Sequence, residues 1–249
     1  LIPVPKYLVL READGLDFAA TSWEAGRASG VLLVHGLLGT RTMREIVRVA
    51  EALAADHDVL AIDVRGHGDS PGRFTWGREE WKAVAAAVAH LAAPGRPVAI
   101  VGFSYGGFHA VRAAARGVPA SRLVLVGAPS DLKVLDHFPF GPKLWRHIPA
   151  VLNRRHRRLR AERPPFGIDA ALGDAELARV AVPVLVVHGT GDWLISSRHA
   201  DRFVAKIADV RRVDIPGGFH GEYLVHSHGD ELLALLTRFL GATASEGGS

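Results

Sequence analysis

The sequence contains no cysteine. Disulfides, thiolate metal sites and a cysteine nucleophile are therefore excluded, although this alone does not decide the compartment. No apolar run approaches the ~18–20 residues that span a bilayer. The 13 histidines include no His-Glu-x-x-His pattern. His226 and His228 lie two apart on a segment read as helical and face different directions, so there is no case for a metal. Gly102 to Gly107 is not Gly-x-Gly-x-x-Gly, and Gly36-Leu37-Leu38-Gly39-Thr40 lacks the Gly-Lys of a phosphate loop. Dinucleotide and nucleoside triphosphate binding are disfavoured. The first residues, Leu1-Ile2-Pro3-Val4-Pro5-Lys6, lack the charged-then-apolar pattern of a secretory leader, and the expectation is a cytoplasmic protein.

Nor is there a global excess of one charge. The net charge is +4, from 30 Lys+Arg against 26 Asp+Glu. Residues 131–165 alone hold nine Lys/Arg against three acids, so the remainder of the chain is slightly acidic. A local basic segment of this kind argues against nucleic acid as the partner.

What the sequence does have is alternation. Short apolar runs at Val31–Val34, Asp58–Ile62, Val98–Val101, Leu123–Val126, Pro183–Val187 and Val213–Ile215 read as buried strands. Thr42-x-x-Glu45 reads as a capping box opening a helix to about Ala55. Trp81, Val84, Val88 and Leu91 mark one helical face, as do Leu232, Leu235, Leu236 and Phe239. Lys6–Arg11 and Leu16–Trp23 flank Asp14-Gly15 and read as an antiparallel hairpin at the sheet edge. The expected fold is α/β, a mostly parallel sheet with helices on both faces, formed by residues 1–249 as a single domain. Residues 130–179 break the rhythm and are too long for an ordinary connection, so an inserted cap is expected there.

Gly102-Phe103-Ser104-Tyr105-Gly106 is Gly-x-Ser-x-Gly between a strand and a helix. That turn strains the serine backbone and presents its hydroxyl above the sheet. A serine needs a base, and the base needs an acid to fix its tautomer. Two further strand ends supply candidates. Asp192 lies in His188-Gly189-Thr190-Gly191-Asp192, and His220 follows Pro216-Gly217-Gly218-Phe219.

With His35-Gly36 and Asp63-Val64-Arg65-Gly66-His67-Gly68-Asp69-Ser70, these motifs give five elements in order, and the chain resembles the α/β-hydrolase superfamily over nearly its whole length. The resemblance implies Ser104 as nucleophile, His220 as general base and then acid, and Asp192 as the orienting carboxylate. Asp131, also after a strand, is the alternative acid because some relatives carry it there. The backbone N–H groups of Tyr105 and Leu37 are the implied oxyanion donors. His35, His67 and His188 read as residues holding loops rather than ligands.

Leu38, Trp145 and Trp193 are the expected substrate-lining residues. Leu144, Trp145, Ile148, Val151 and Leu152 share a helical spacing, and with Phe138 and Phe140 they either roof an acyl pocket or pack on the body of the fold. The arginine-dense run Asn153–Arg160 reads first as a solvated face. Attraction to anionic substrates, acyl-CoA phosphates or an acidic membrane surface is its sharper alternative. A basic insert disfavours an aminopeptidase, and serine at position 104 argues against the aspartate-dependent epoxide hydrolases and dehalogenases. The resulting expectation is a serine carboxylesterase for short to medium acyl chains, requiring no cofactor and acting on a small-molecule ester. A thioesterase, an acylglycerol lipase or a C–C bond hydrolase would keep the chemistry on another substrate. A non-catalytic binding module is the alternative of another class.

Overall fold

The computed structural model describes residues 2–92, 95–131, 159–162 and 171–241. Eight strands form one sheet: β1 (Lys6–Arg11), β2 (Asp17–Trp23), β3 (Gly30–Val34), β4 (Asp58–Ile62), β5 (Val98–Phe103), β6 (Arg122–Val126), β7 (Val184–Gly189) and β8 (Val210–Ile215). Their spatial order is β1-β2-β4-β3-β5-β6-β7-β8. The β1/β2 and β2/β4 pairs are antiparallel and all later pairs are parallel. The predicted hairpin therefore sits at one edge, and β8 forms the other.

Helices α1 (Arg44–Leu53), α2 (Trp81–Leu91), α3 (Tyr105–Ala115), α4 (Asp174–Leu177), α5 (Arg198–Lys206), α6 (Glu222–Ser227) and α7 (Gly229–Gly241) are those of the described residues. None of them is long and apolar enough to cross a membrane. The central strands are apolar on both faces because both are covered. Leu32, Leu60, Ile100, Leu123 and Val186 join Val84 and Val88 of α2, Phe108 of α3 and Phe203 of α5 in one core. Their strand neighbours Val31, Val59, Val101, Val124 and Val187 join Ile46 and Leu53 of α1 and Leu232 and Leu236 of α7 in the other. Alternate residues thus feed opposite cores, as a strand period of two requires. Truncating one of these leucines to alanine costs ~2–5 kcal/mol in comparable cores.

Two local readings differ from the structure. The Thr42 capping box does not form: the N-cap of α1 is Met43, with no side-chain cap. The Thr42 hydroxyl instead meets that of Thr40 at 3.1 Å. A short helix, α6, lies between His220 and the last long helix. His226 lies in α6 but His228 lies in the break between α6 and α7, so the two do not share a helix.

Trp145, Leu144, Phe138, Phe140 and most of the arginine run lie outside the described residues. Within the insert, the described residues 159–162 are laced to the loop after β4. Phe74 N–H donates to the Arg160 carbonyl at 2.7 Å, Glu162 N–H to the Phe74 carbonyl at 2.9 Å, and the Trp76 indole to the Glu162 carbonyl at 2.9 Å. The exposed Arg160 also donates from its guanidinium to the Ser70 carbonyl.

Candidate active site

The sheet brings the carboxyl ends of β3, β5, β7 and β8 together. Ser104 follows β5 with φ 50° and ψ −119°. Few residues other than glycine adopt that conformation, and the surroundings must impose it. Ser104 N–H donates to the Val126 carbonyl at 2.8 Å, and the Ser104 carbonyl receives Gly107 N–H at 3.0 Å. A Cβ on Gly106 would lie 2.0 Å from the Val34 carbonyl oxygen, so only glycine lets the turn close against β3. The second motif glycine therefore serves close approach.

The Ser104 hydroxyl lies 2.8 Å from His220 Nε2. His220 Nδ1 lies 2.8 Å from Asp192 Oδ2. The other Asp192 oxygen, Oδ1, accepts the N–H groups of Leu194 at 2.9 Å and Ile195 at 2.8 Å. The carboxylate side chain is fully buried, and Ser104 and His220 are 5 % and 6 % exposed. The three residues are thus linked in one file. A carboxylate that accepts two amides and faces Nδ1 favours the tautomer with the proton on Nδ1, which leaves Nε2 free to take the hydroxyl proton.

Asp131 lies elsewhere in the network: one oxygen is 3.5 Å from an Arg198 guanidinium nitrogen, the other 4.0 Å from His199 Nδ1. The alternative acid of the sequence reading is not the one paired with His220. His199 Nδ1 also accepts Ser130 N–H at 3.0 Å, a buried contact that no motif announced.

The loop after β3 carries Leu37 and Leu38. Among the described residues, the N–H groups of Leu37 and Tyr105 meet no acceptor. Leu38 is half-buried with φ 66°, an uncommon conformation for leucine that bends this loop back. Both ends of the loop are braced. His35 Nδ1 donates to the Gly36 carbonyl at 2.7 Å, and His35 Nε2 accepts Val64 N–H at 3.3 Å. At the far end Asp63, fully buried, accepts Arg41 N–H at 2.6 Å and Asp69 N–H at 3.0 Å, and pairs with the Arg41 guanidinium. The motif from Asp63 to Ser70 is therefore a brace for the Leu37 loop. His35 holds loop backbone as expected, and His67 Nδ1 lies 3.3 Å from the Arg65 carbonyl. Trp193 is half-buried directly after Asp192, and Phe219 beside His220 is 48 % exposed.

Spacing did not reveal Glu222. This residue is 8 % exposed, and its carboxylate accepts Gly36 N–H at 2.5 Å across 186 residues of sequence. A glutamate two places after the histidine carries no signal of such a partner. Among the described residues, no group of three or more His, Asp or Glu is arranged to hold a metal ion.

Behind the serine turn, Phe74 stacks edge-on against Tyr105 and His109, with ring centres 5.7 and 6.0 Å away. Burial pushes the Tyr105 hydroxyl pKa up and pulls His109 down to about 3. His109 is thus neutral in the folded protein but titrates near the ordinary value of 6.5 once unfolded. Between pH 6.5 and 3 the unfolded chain binds the extra proton, so the contribution is complete above pH 6.5 and is lost as pH falls through that window. The expected slope is about 1.4 kcal/mol per pH unit for one such group. Burial likewise lowers His67 and brings His199 to about 4, adding to the acid sensitivity. Urea unfolding of His109→Phe should show a shallower loss of stability between pH 6.5 and 4.5 than the parent. Parallel curves would refute the assignment.

A family model described as the alpha/beta hydrolase family matches residues 31–235. An uncharacterized protein of Mycobacterium tuberculosis is 30 % identical, the match covering 98 % of this chain and 82 % of that protein. Among solved structures, an esterase of Pyrococcus furiosus superposes with TM-score 0.74 at 18 % identity, covering 95 % of this chain and 89 % of the other. A hydrolase of Pseudomonas aeruginosa gives 0.73 at 23 % identity, covering 95 % and 99 %.

Proposed function

We propose, on the premise that this chain belongs to the alpha/beta hydrolase family, that it is a serine hydrolase of carboxylic esters with short to medium acyl chains. The observation that carries the reading is the file from Ser104 to His220 to Asp192, with both contacts at 2.8 Å and the serine held at φ 50°. The esterase found among the structural neighbours is consistent with it, and the modest length of the insert supports the acyl range.

The reaction so proposed has two stages. His220 Nε2 removes the Ser104 proton as the oxygen attacks the ester carbonyl carbon. The carbonyl electron pair moves onto oxygen, where the Leu37 and Tyr105 N–H groups face the developing charge. Such donors are worth about 2.7–4 kcal/mol each in related sites. Asp192 stabilises the imidazolium without taking its proton. The tetrahedral species collapses as His220 protonates the leaving alkoxide, leaving an acyl-serine. Water then gives its proton to the same Nε2 and attacks the acyl carbon. His220 returns that proton to Ser104, and the carboxylic acid departs. No step draws on a cofactor.

The test is an acyl-chain series of nitrophenyl esters beside the matching acyl-CoA thioesters, with a fluorophosphonate probe as a measure of serine reactivity. Turnover highest at short or medium chains, with labelling of the wild-type protein, is the expected result. Preference for the CoA thioesters would replace the esterase reading with a thioesterase. Absence of both turnover and labelling would leave a binding module.

A further inference from the structure

Gly36 is held where a side chain would crowd the serine and Glu222. A Cβ there would lie 2.9 Å from Ser104 Cβ and 3.0 and 3.1 Å from the two Glu222 carboxylate oxygens. The cost of glycine is freedom, because its backbone has more accessible conformations than any other. That freedom falls at the residue whose carbonyl shares a peptide plane with Leu37 N–H. A loose Gly36 means a wandering donor.

The structure ties both sides of this residue. The Gly36 carbonyl receives His35 Nδ1 at 2.7 Å and Gly39 N–H at 3.0 Å. In a trans peptide the Leu37 N–H points opposite to that carbonyl, so these two contacts turn it away from His35. Among the described residues, the preceding peptide is held by one side chain: Gly36 N–H donates to Glu222 Oε1 at 2.5 Å. A hydrogen bond to an ionised or strongly polar carboxyl is shorter and stronger than a neutral pair. Glu222 opens α6, two residues beyond His220. It therefore joins the loop bearing the presumed base to the loop bearing the oxyanion donor, beside the serine.

We propose that Glu222 is a positioning residue which, by accepting Gly36 N–H, fixes the direction of Leu37 N–H toward the oxyanion. This rests on the reading of Ser104 as nucleophile and Leu37 N–H as donor. Glu222 touches no reacting atom in it. Its effect is exerted on the transition state, where the oxyanion exists, and not on the uncharged ester.

Two variants of similar volume separate the acceptor from the charge. Glu222→Gln keeps an oxygen that can accept Gly36 N–H and removes the charge, whereas Glu222→Met removes the acceptor. Concentrations are set by fluorophosphonate titration of competent sites, so misfolded protein does not count. The expected result is a ten- to hundredfold fall in kcat for Glu222→Met with KM within about threefold, below the ~10²–10³-fold of deleting an oxyanion donor outright. Glu222→Gln should remain within about threefold of the parent. A trifluoromethyl ketone, which adds to the serine as an oxyanion, should lose affinity for Glu222→Met by the same factor as kcat/KM. The unfluorinated methyl ketone, which binds without adding, should not. Glu222→Asp, one methylene shorter, makes the same comparison should the Met variant not fold. Parental kcat in Glu222→Met overturns the proposal, as does an equal loss in Glu222→Gln, which would assign the effect to charge. A wild-type protein inert to esters and fluorophosphonate would instead defeat the reading of Ser104 itself.

Discussion

Ser104→Ala is expected to lower kcat on a good nitrophenyl ester by at least ~10⁴-fold, and about 10⁶-fold is the loss for a comparable triad serine. The substitution removes one oxygen from a side chain that is 5 % exposed. The backbone that strains the turn is held by Val126 and Gly107 and not by the hydroxyl. Folding should therefore survive, and thermal unfolding should match the parent closely. KM should change little, because the hydroxyl contributes to bond formation more than to ground-state binding. Fluorophosphonate labelling should vanish. A variant that retains a tenth of the parental rate would place the nucleophile elsewhere and defeat the esterase mechanism.

Asp192→Asn is expected to cost nearly as much, about 10³–10⁴-fold in kcat. The reason is particular to this site. One oxygen accepts Leu194 and Ile195 N–H while the other faces His220 Nδ1. An asparagine has one oxygen, and the two amides claim it. Its NH₂ must then point at His220, where it can only donate. Nδ1 becomes an acceptor, the ring proton moves to Nε2, and Nε2 can no longer take the Ser104 proton. The side-chain shape is unchanged, so stability and KM should stay close to the parent, and labelling should slow by the same factor as kcat. Full activity in Asp192→Asn would free His220 from this acid.

The sheet was legible because its strands are covered on both sides. Val31–Val34 and Val98–Val101 must be apolar at every position, and such runs stand out without a partner in view. The strand ends singled out Ser104, Asp192 and His220, and the structure brings their side chains into one hydrogen-bonded file. Contacts that bridge remote loops were not legible. Glu222 meets Gly36, Arg41 meets Asp63 and Ser130 meets His199 only once the sheet has assembled. Short-range rules failed where tertiary neighbours offered better partners. Thr42 had the spacing of a capping box, yet its hydroxyl pairs with Thr40. The six-residue α6 escaped notice because it is squeezed between the histidine loop and α7, too short to show a period.

The sheet order also sets a sequence of arrival. The presumed nucleophile follows β5, an interior strand, and its acid follows β7, which has partners on both sides. The base follows β8, the last strand of the chain and an edge of the sheet, paired with β7 alone. A chain grows from its N-terminus. Ser104 and Asp192 are therefore synthesised before His220, whose strand is held from one side only. On the proposed mechanism, a chain in which β8 has not docked lacks the group that takes the Ser104 proton and is inert toward esters.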